Sequence, residues 1–188
     1  MKYRNFKPLL VVVLSMVFNC CRSDYSKLVI KEINSGIKND SIFFGIYFGN
    51  TKSEYYKKCW EMNKQKVLFH GSKNMNVKYL LKKIDENSPQ IQMLFSPEYN
   101  EDDKIHKMNV EFSYTGWASW NKHLYSDRLI PIVQDSILQW YQGNEFLKIE
   151  LEEFPNEEIW VKVDGNRRIS LKKDGSKVVL VRISNLIK

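Results

Sequence analysis

The segment Ile159–Ile183, IWVKVDGNRRISLKKDGSKVVLVRI, gives the clearest indication of the fold. Asp164-Gly165-Asn166 and Asp174-Gly175 are tight-turn sequences, and they separate runs rich in β-branched residues. The pattern predicts strands at Ile159–Val163 and Val178–Ile183, with a short additional strand over Arg167–Leu171. This end of the chain is therefore expected to be antiparallel sheet.

A helix and one more strand are predicted just upstream. Ser126 or Asp127 is suited to cap the helix N-terminus, Pro131 falls near the first turn, and Gly143 is a good C-terminal stop. Leu147–Glu152 follows as a strand. The apolar stripe of the helix is formed by Ile130, Val133, Ile137, Trp140 and Tyr141.

An earlier part of the chain shows the same order of elements. Thr51 and Glu54 have capping-box spacing, and Tyr55, Cys59 and Met62 then mark one face of a helix that runs to about Gln65. Strands are predicted at Val77–Leu81, Ile91–Phe95 and Met108–Tyr114, with turns at Ser88-Pro89 and over Glu98–Asp103.

The two stretches, roughly 43–115 and 126–186, both read helix–strand–strand–strand. They predict an α+β fold in which two αβββ units build one antiparallel sheet, with the two main helices on one face. The other face would present polar side chains to water or a partner. These alternating polar positions are Lys78, Gln92, Asn109, Glu111, Lys148, Lys162 and Arg182.

The N-terminus is typical of a secretory signal peptide. Lys2, Arg4 and Lys7 precede the apolar run Pro8–Phe18, which is shorter than the roughly 20 residues that span a bilayer. We predict that 1–19 is removed, that 20–41 is a lipidated tether with a short strand at Leu28-Val29-Ile30, and that 42–188 is a single domain. Removing 1–19 would lower the net charge from +7 to +4.

A cysteine after such a run resembles the lipobox of bacterial lipoproteins. Val17 fits the aliphatic −3 position before Cys20, whereas Phe18 and Asn19 depart from the small residues usual at −2 and −1. Cys21 is the alternative site, and an ordinary cleaved signal with incidental cysteines is the alternative interpretation. The resemblance implies an exported protein that is lipid-anchored, by palmitate, to a bacterial membrane. An outer membrane is expected, facing the periplasm or the cell surface.

Gly45–Glu54, with a glycine-containing entry and Thr-x-x-Glu before a helix and a meander, resembles two groups of small exported proteins. These are the β-lactamase-inhibitor-like proteins and the outer-membrane-assembly lipoproteins, and the chain is also similar to uncharacterised lipoproteins of Bacteroidota. The matching stretch covers about ten residues of 188, together with the repeated order of elements. The resemblance implies a binding or scaffolding module and transfers no catalytic residues.

Four aromatic residues form the candidate binding surface. Trp117 and Trp120 lie in a loop between a strand and a helix, with Tyr114 and Tyr125 at its ends. Aromatic loop residues stack on sugars or anchor protein partners because they bring large rigid area at little entropy cost. The alternative is that they cap the core, and Trp120 is the better candidate for that role.

Other residue types give no recognised catalytic or metal-binding pattern. His70, His106 and His123 lack metal-ligand spacing. Cys59 is predicted to pack in the core rather than to act as a nucleophile. The acidic stretch Glu98–Asp103 lacks the spacing and glycine of a calcium loop. No cofactor is implied.

Two functions are compatible with these features. The first is a non-enzymatic binding or scaffolding module, tethered to the membrane and recognising an envelope protein or glycan. The second is a small envelope hydrolase that uses the histidines or strand carboxylates such as Glu111 and Glu150. The charge is too evenly interspersed for a nucleic-acid partner.

Overall fold

A computed structural model describes residues 23–72, 76–83, 85–151 and 154–187, which include three α-helices and ten strands. The predicted signal peptide and the predicted lipidation sites Cys20 and Cys21 lie outside the described residues. The helices are α1 (Asp24–Asn34), α2 (Lys52–Lys64) and α3 (Ser126–Trp140), and a short 3₁₀ turn covers Lys122–Leu124. The strands are β1 (Ser41–Phe43), β2 (Ile46–Tyr47), β3 (Phe69–His70), β4 (Val77–Leu80), β5 (Ile91–Tyr99), β6 (Ile105–Tyr114), β7 (Leu147–Leu151), β8 (Phe154–Asp164), β9 (Arg167–Asp174) and β10 (Val178–Asn185).

Eight of the strands form one antiparallel sheet, so the predicted α+β class is confirmed. Their order is β3-β4-β5-β6-β10-β9-β8-β7, and β1 and β2 make a separate two-stranded sheet. The predicted turns at Asp164–Asn166 and Asp174-Gly175 connect β8 to β9 and β9 to β10.

The predicted αβββ unit is not confirmed, because each half of the chain contributes four strands. The first half supplies α2 and the meander β3–β6, and the second supplies α3 and the meander β7–β10. The meanders join through their last strands, where Val110 lies opposite Val181 and Phe112 opposite Val179.

The core lies between the sheet and the helices α2 and α3. Tyr55 and Cys59 of α2 share it with Val133 and Ile137 of α3 and with Phe112 of β6. The two main helices therefore pack on one face of the sheet, as predicted. Both parts of the predicted capping box at the start of α2 are present, since Thr51 Oγ1 accepts from the Glu54 N–H and Glu54 accepts from the Thr51 N–H.

The predicted strand at Leu28-Val29-Ile30 is wrong, since these residues belong to α1. Tyr25, Leu28 and Glu32 recur at helical spacing on its partly or fully buried side, and Ser23 caps its N-terminus by accepting from the Ser26 N–H. Helical periodicity thus overrides the short β-branched run.

Contacts fix α1 against the second half of the sheet. Tyr25 Oη accepts a hydrogen bond of 3.1 Å from Arg168 Nη1, and Glu32 Oε2 accepts one of 2.9 Å from the Gly165 N–H. Arg168 lies opposite Ser184 in the register, on the face away from α2 and α3. The region predicted to be a tether is therefore part of the folded domain from Asp24 onward.

The start of α3 differs from its predicted capping. Tyr125 occupies the N-cap position, without a side-chain cap. Ser126 Oγ instead donates to the Gly175 carbonyl at 2.7 Å, and Asp127 pairs with Lys173. Pro131 falls inside the helix rather than in its first turn.

Candidate functional site

The sheet face opposite α2 and α3 forms a concave trough of about 640 Å³. Asn76, just before β4, and Ile159, in β8, both line this cavity, so the sheet curves across the strands between them. Ile159 and Leu180 give the trough its apolar side chains. Its polar lining includes Ser96, Asn109, Glu111, Ser170, Lys172 and Arg182.

The sequence predicts that the alternating polar residues face water or a partner. Three of them line this trough: Asn109, Glu111 and Arg182. Lys78 and Gln92 share its face by register, since Lys78 lies opposite Leu94, which lies opposite Glu111. The prediction is wrong for Lys162, whose side chain is wholly buried. Lys148 is exposed, but it lies opposite Trp160 in the strand register, so it is on the sheet face that packs against α2 and α3.

Hydrogen bonds hold one end of the trough in a defined arrangement. Asn109 Nδ2 donates to Glu98 Oε1 at 2.7 Å, and Asn109 Oδ1 accepts from Arg182 Nε at 3.1 Å. Lys107 Nζ contacts Glu98 Oε2 at 2.9 Å. Hydrogen bonds from Asn109 and Lys107 lower the pKa of Glu98. These contacts order a row of polar and charged side chains along one end of the trough.

The described side chains that line the trough carry one net positive charge. Lys172 and Arg182 contribute two positive charges, and Glu111 contributes one negative charge. Glu111 and Lys172 each have interactions with other parts of the chain. The trough therefore combines donors, acceptors and both signs of charge, which suits a polar partner rather than a purely apolar one.

The predicted aromatic surface is split between buried and exposed residues. Trp120 is 81% exposed, so the expectation that it caps the core is wrong. Trp117 is half-buried, packs against the core, and its Nε1–H donates to the Ser176 carbonyl at 3.2 Å. No local sequence pattern distinguishes the indole that the β9–β10 turn anchors from the one that it leaves exposed.

The two tyrosines are held by the fold. Tyr114 is 4% exposed and belongs to the core, so it is not available as a surface contact. Tyr125 Oη donates to the Ser119 carbonyl at 2.5 Å, and its ring centroid lies 6.3 Å from that of Trp117. Of the four predicted binding residues, Trp120 is the one that the structure presents openly to solvent.

The histidines lie on three separate elements. His70 is on β3, His106 on β6 and His123 in the 3₁₀ turn. His70 and His123 are exposed, and His106 is half-buried. Within the described parts of the chain, no three histidine, cysteine or acidic side chains are grouped so that they could hold a metal ion. The carboxylate of Glu150 is outside what the structure describes, although its backbone belongs to β7.

Cys59 is a free, buried thiol, in agreement with its predicted place in the core. Burial raises the pKa of its thiol, opposed by a hydrogen bond with Tyr55. Burial likewise raises the pKa of Tyr55, with Cys59 as the next cause. A raised thiol pKa leaves little thiolate at neutral pH, so this site lacks the property that activates a nucleophilic cysteine.

A buried polar cluster at the β8–β9 turn was not predicted. We define the turn cluster as Lys162, Asp164, Arg167 and Asn144. Lys162 Nζ lies 3.0 Å from Asp164 Oδ2 and 3.2 Å from Oδ1, and it also donates to the Asn144 carbonyl. The Asn144 N–H donates to Asp164 Oδ1 at 2.8 Å. A usable signal was the Lys-x-Asp spacing, which places both side chains on one face of a strand.

The turn cluster joins several elements of the fold. Arg167 Nη1 donates to the Ser41 carbonyl at 3.0 Å, and its guanidinium carbon lies 4.3 Å from the Tyr141 ring centroid. Burial lowers the pKa of Arg167, opposed by Tyr141 and Asp164. Gly165 has φ +57°, and a Cβ there would collide with the Ile37 carbonyl oxygen. The cluster is therefore a structural junction between α1, β1, α3 and the sheet.

Among the described residues, no helix is long and apolar enough to cross a membrane. The chain matches no protein-family model, no curated protein and no solved structure.

Proposed function

We propose that this protein is an exported, membrane-tethered binding module whose trough holds a segment of an envelope protein. The observation that carries the proposal is the concave trough, which shares its sheet face with α1 and mixes ordered polar groups with Ile159 and Leu180. Interfaces of this kind combine a few apolar contacts with about one hydrogen bond per 100–200 Å².

A polypeptide suits the trough better than a sugar does. The described side chains that line it are aliphatic, amide, hydroxyl and charged, and none is aromatic. Sugar sites draw much of their contact area from aromatic rings, whereas a peptide is held by hydrogen bonds and ion pairs of the type that Asn109 and Arg182 offer. Trp120 is the observation that keeps a glycan as a second candidate, with binding at the aromatic loop instead.

The tether is the second part of the proposal. It rests on the signal-like N-terminus and Cys20, and on the start of α1 at Asp24. Three residues separate Cys20 from Asp24. Because a chain extends at most ~3.5 Å per residue, a lipid on Cys20 would hold α1 within roughly 15 Å of the membrane surface.

The hydrolase alternative has less support. Glu111 is the one carboxylate among the described residues that line the trough. Hydrolysis of glycosides ordinarily uses two carboxyl groups on either side of the bond that breaks. This alternative remains a prediction and would be tested by activity on envelope material.

The partner is tested by photo-crosslinking in the cells that make the protein. A photoreactive amino acid is placed at Ser96 or at Ser170, and Lys57, which is exposed on α2 on the opposite side of the sheet, gives the matched control. We expect a discrete adduct from the trough positions that protease digests and that Arg182→Glu removes. An equal adduct from Lys57, or a protease-resistant carbohydrate adduct, would contradict a protein partner in the trough.

The tether is tested separately by labelling with radioactive palmitate. We expect Cys20→Ser to abolish the label and to release the protein from the membrane fraction, and Cys21→Ser to change neither. Loss of the label in Cys21→Ser alone would show that the other cysteine carries the lipid. An unchanged label in both variants would contradict lipidation at this junction.

A further inference from the structure

An aromatic groove lies on the helix-bearing face of the sheet, between α3 and strands β4 and β5. It consists of an outer cavity of about 470 Å³ and an inner cavity of about 180 Å³. Tyr79 of β4 and Trp140 of α3 line both cavities, so the two form one elongated groove. Its combined size falls within the range of small-molecule sites.

The described side chains that line the inner part of the groove are all apolar or aromatic. Phe43, Phe44, Met93, Tyr79 and Trp140 form its walls. The Phe44 ring meets the Tyr79 ring edge-to-face, with centroids 4.8 Å apart. The inner part of the groove favours a hydrocarbon chain over a charged head group, because an unpaired charge is costly to remove from water.

Trp140 leaves apolar surface uncovered in this groove. It is 43% exposed although it lies on the sheet side of α3, with its ring 6.4 Å from that of the buried Phe112. Tyr79 and Ile91, on the groove floor, are also only partly buried. A ligand chain in the groove would remove this apolar surface from water, which favours binding.

The outer part of the groove carries the charges. Lys82 and Lys83 line it from the segment after β4, and Asp135 lines it from α3. Lys83 Nζ donates to the Glu86 carbonyl at 3.1 Å, so this hydrogen bond holds the Lys83 ammonium close to the backbone of the segment that follows β4. The described side chains that line the outer cavity thus carry one net positive charge. Asp85 interacts with Lys83 but does not line the cavity, so the lining complements an anionic head group.

We propose that the aromatic groove binds an amphiphilic anion with one hydrocarbon chain, of the fatty-acid class. The chain lies along Tyr79 and Trp140 towards Phe43 and Phe44, and the carboxylate meets Lys82 and Lys83. The polarity changes along the groove in the same order as along such a molecule. The trough lies on the opposite face of the sheet, so this proposal stands or falls independently of the proposed function.

The proposal is tested by calorimetry with dodecanoate, dodecanol and dodecylamine at concentrations below micelle formation. The protein is the full chain carrying Cys20→Ser and Cys21→Ser, purified without detergent, so that no attached acyl chain competes. We expect dodecanoate to bind with Kd below about 1 mM and at least about tenfold more tightly than either analogue. Equal binding of the three compounds would overturn the anionic specificity, and no binding of dodecanoate would overturn the site.

Variants locate the binding. Lys82→Glu with Lys83→Glu is expected to weaken dodecanoate binding at least about tenfold and to leave dodecanol binding unchanged, since both lysines are exposed and act through charge. Lys57→Glu with Lys64→Glu makes the same charge change on α2, outside the groove, and is expected to have no effect. Ser136→Trp fills the groove and should abolish binding of both compounds. A loss in the α2 variant equal to that in the groove variant would contradict the assignment.

Discussion

Asp164→Asn is expected to destabilise the protein strongly, because it removes the counter-charge of a buried lysine. The substitution keeps the size and shape of the side chain. The Lys162 side chain is fully buried and that of Asp164 is 7% exposed, with Nζ 3.0 Å from Oδ2. The Lys162 ammonium would then keep the Asn144 carbonyl, a neutral amide and its electrostatic interaction with the Glu32 carboxylate, but it would lose the carboxylate in direct contact with it. Breaking one partner of a buried ion pair typically costs about 3–5 kcal/mol.

Asp127→Asn is a matched control on the surface. Asp127 also pairs with a lysine, Lys173, at a shorter distance of 2.6 Å, but these side chains are 66% and 37% exposed. Water screens such a pair, so the same substitution should cost less than about 1 kcal/mol. If the distance between the charged atoms determined the loss of unfolding free energy, Asp127→Asn would be the more destabilising variant. If burial determines it, Asp164→Asn will be the more destabilising variant.

Urea unfolding of the full chain and of both variants measures the difference. For a protein of this size, a loss of 3–5 kcal/mol corresponds to a decrease in melting temperature of roughly 6–20 °C. A loss below about 1 kcal/mol for Asp164→Asn, or one equal to that of Asp127→Asn, would refute the reasoning. It would mean that water reaches the turn cluster or that the cluster rearranges around the amide.

Three other outcomes are expected. Cys59→Ser should lose about 1–3 kcal/mol in denaturant unfolding, because it buries a hydroxyl, and the native thiol should react slowly with thiol reagents; rapid labelling would contradict its burial. Trp120→Ala should leave the melting temperature nearly unchanged, whereas Trp117→Ala should lower it through lost packing, and the reverse order in thermal melts would contradict the observed exposures. The lowered pKa of Glu98 adds stability that is present above the unfolded pKa of about 4.3 and is lost as the pH falls through the lower folded pKa. Wild type should therefore exceed Glu98→Gln in unfolding free energy at pH 7, and this difference should close in acid; a gap that stays constant with pH would contradict the linkage.

Local patterns predicted much of the sheet and the two main helices. The alternation in β6 and β10 and the turns at Gly165 and Gly175 are short-range signals. Predictions from them match the structure because these local preferences agree with the tertiary fold. The first helix was missed because Leu28-Val29-Ile30 is a β-branched run, whereas its helical face becomes visible only when Tyr25 and Glu32 are counted as buried positions.

The site was harder to predict because its parts depend on long-range geometry. Alternation on the strands indicated that Asn109, Glu111 and Arg182 would share an open face, but not that the sheet curves into a trough. The same rule failed for Lys162, since its burial depends on Asp164 two residues later and on Asn144 across the turn. The difference between the two indoles is likewise a long-range effect, since the β9–β10 turn binds Trp117 through the Ser176 carbonyl and leaves Trp120 exposed.

The central position of β10 has a consequence for how the chain folds. Its residues Val178–Asn185 pair with β6 on one side and β9 on the other, although they lie almost at the C-terminal end of the described chain. During synthesis, β6 has no partner on that side until β10 has emerged, and such non-local pairing slows folding. Deletion of the whole strand, residues 178–188, would not trim an edge of the sheet. It would separate β3–β6 from β7–β9 and leave two open edges prone to aggregation.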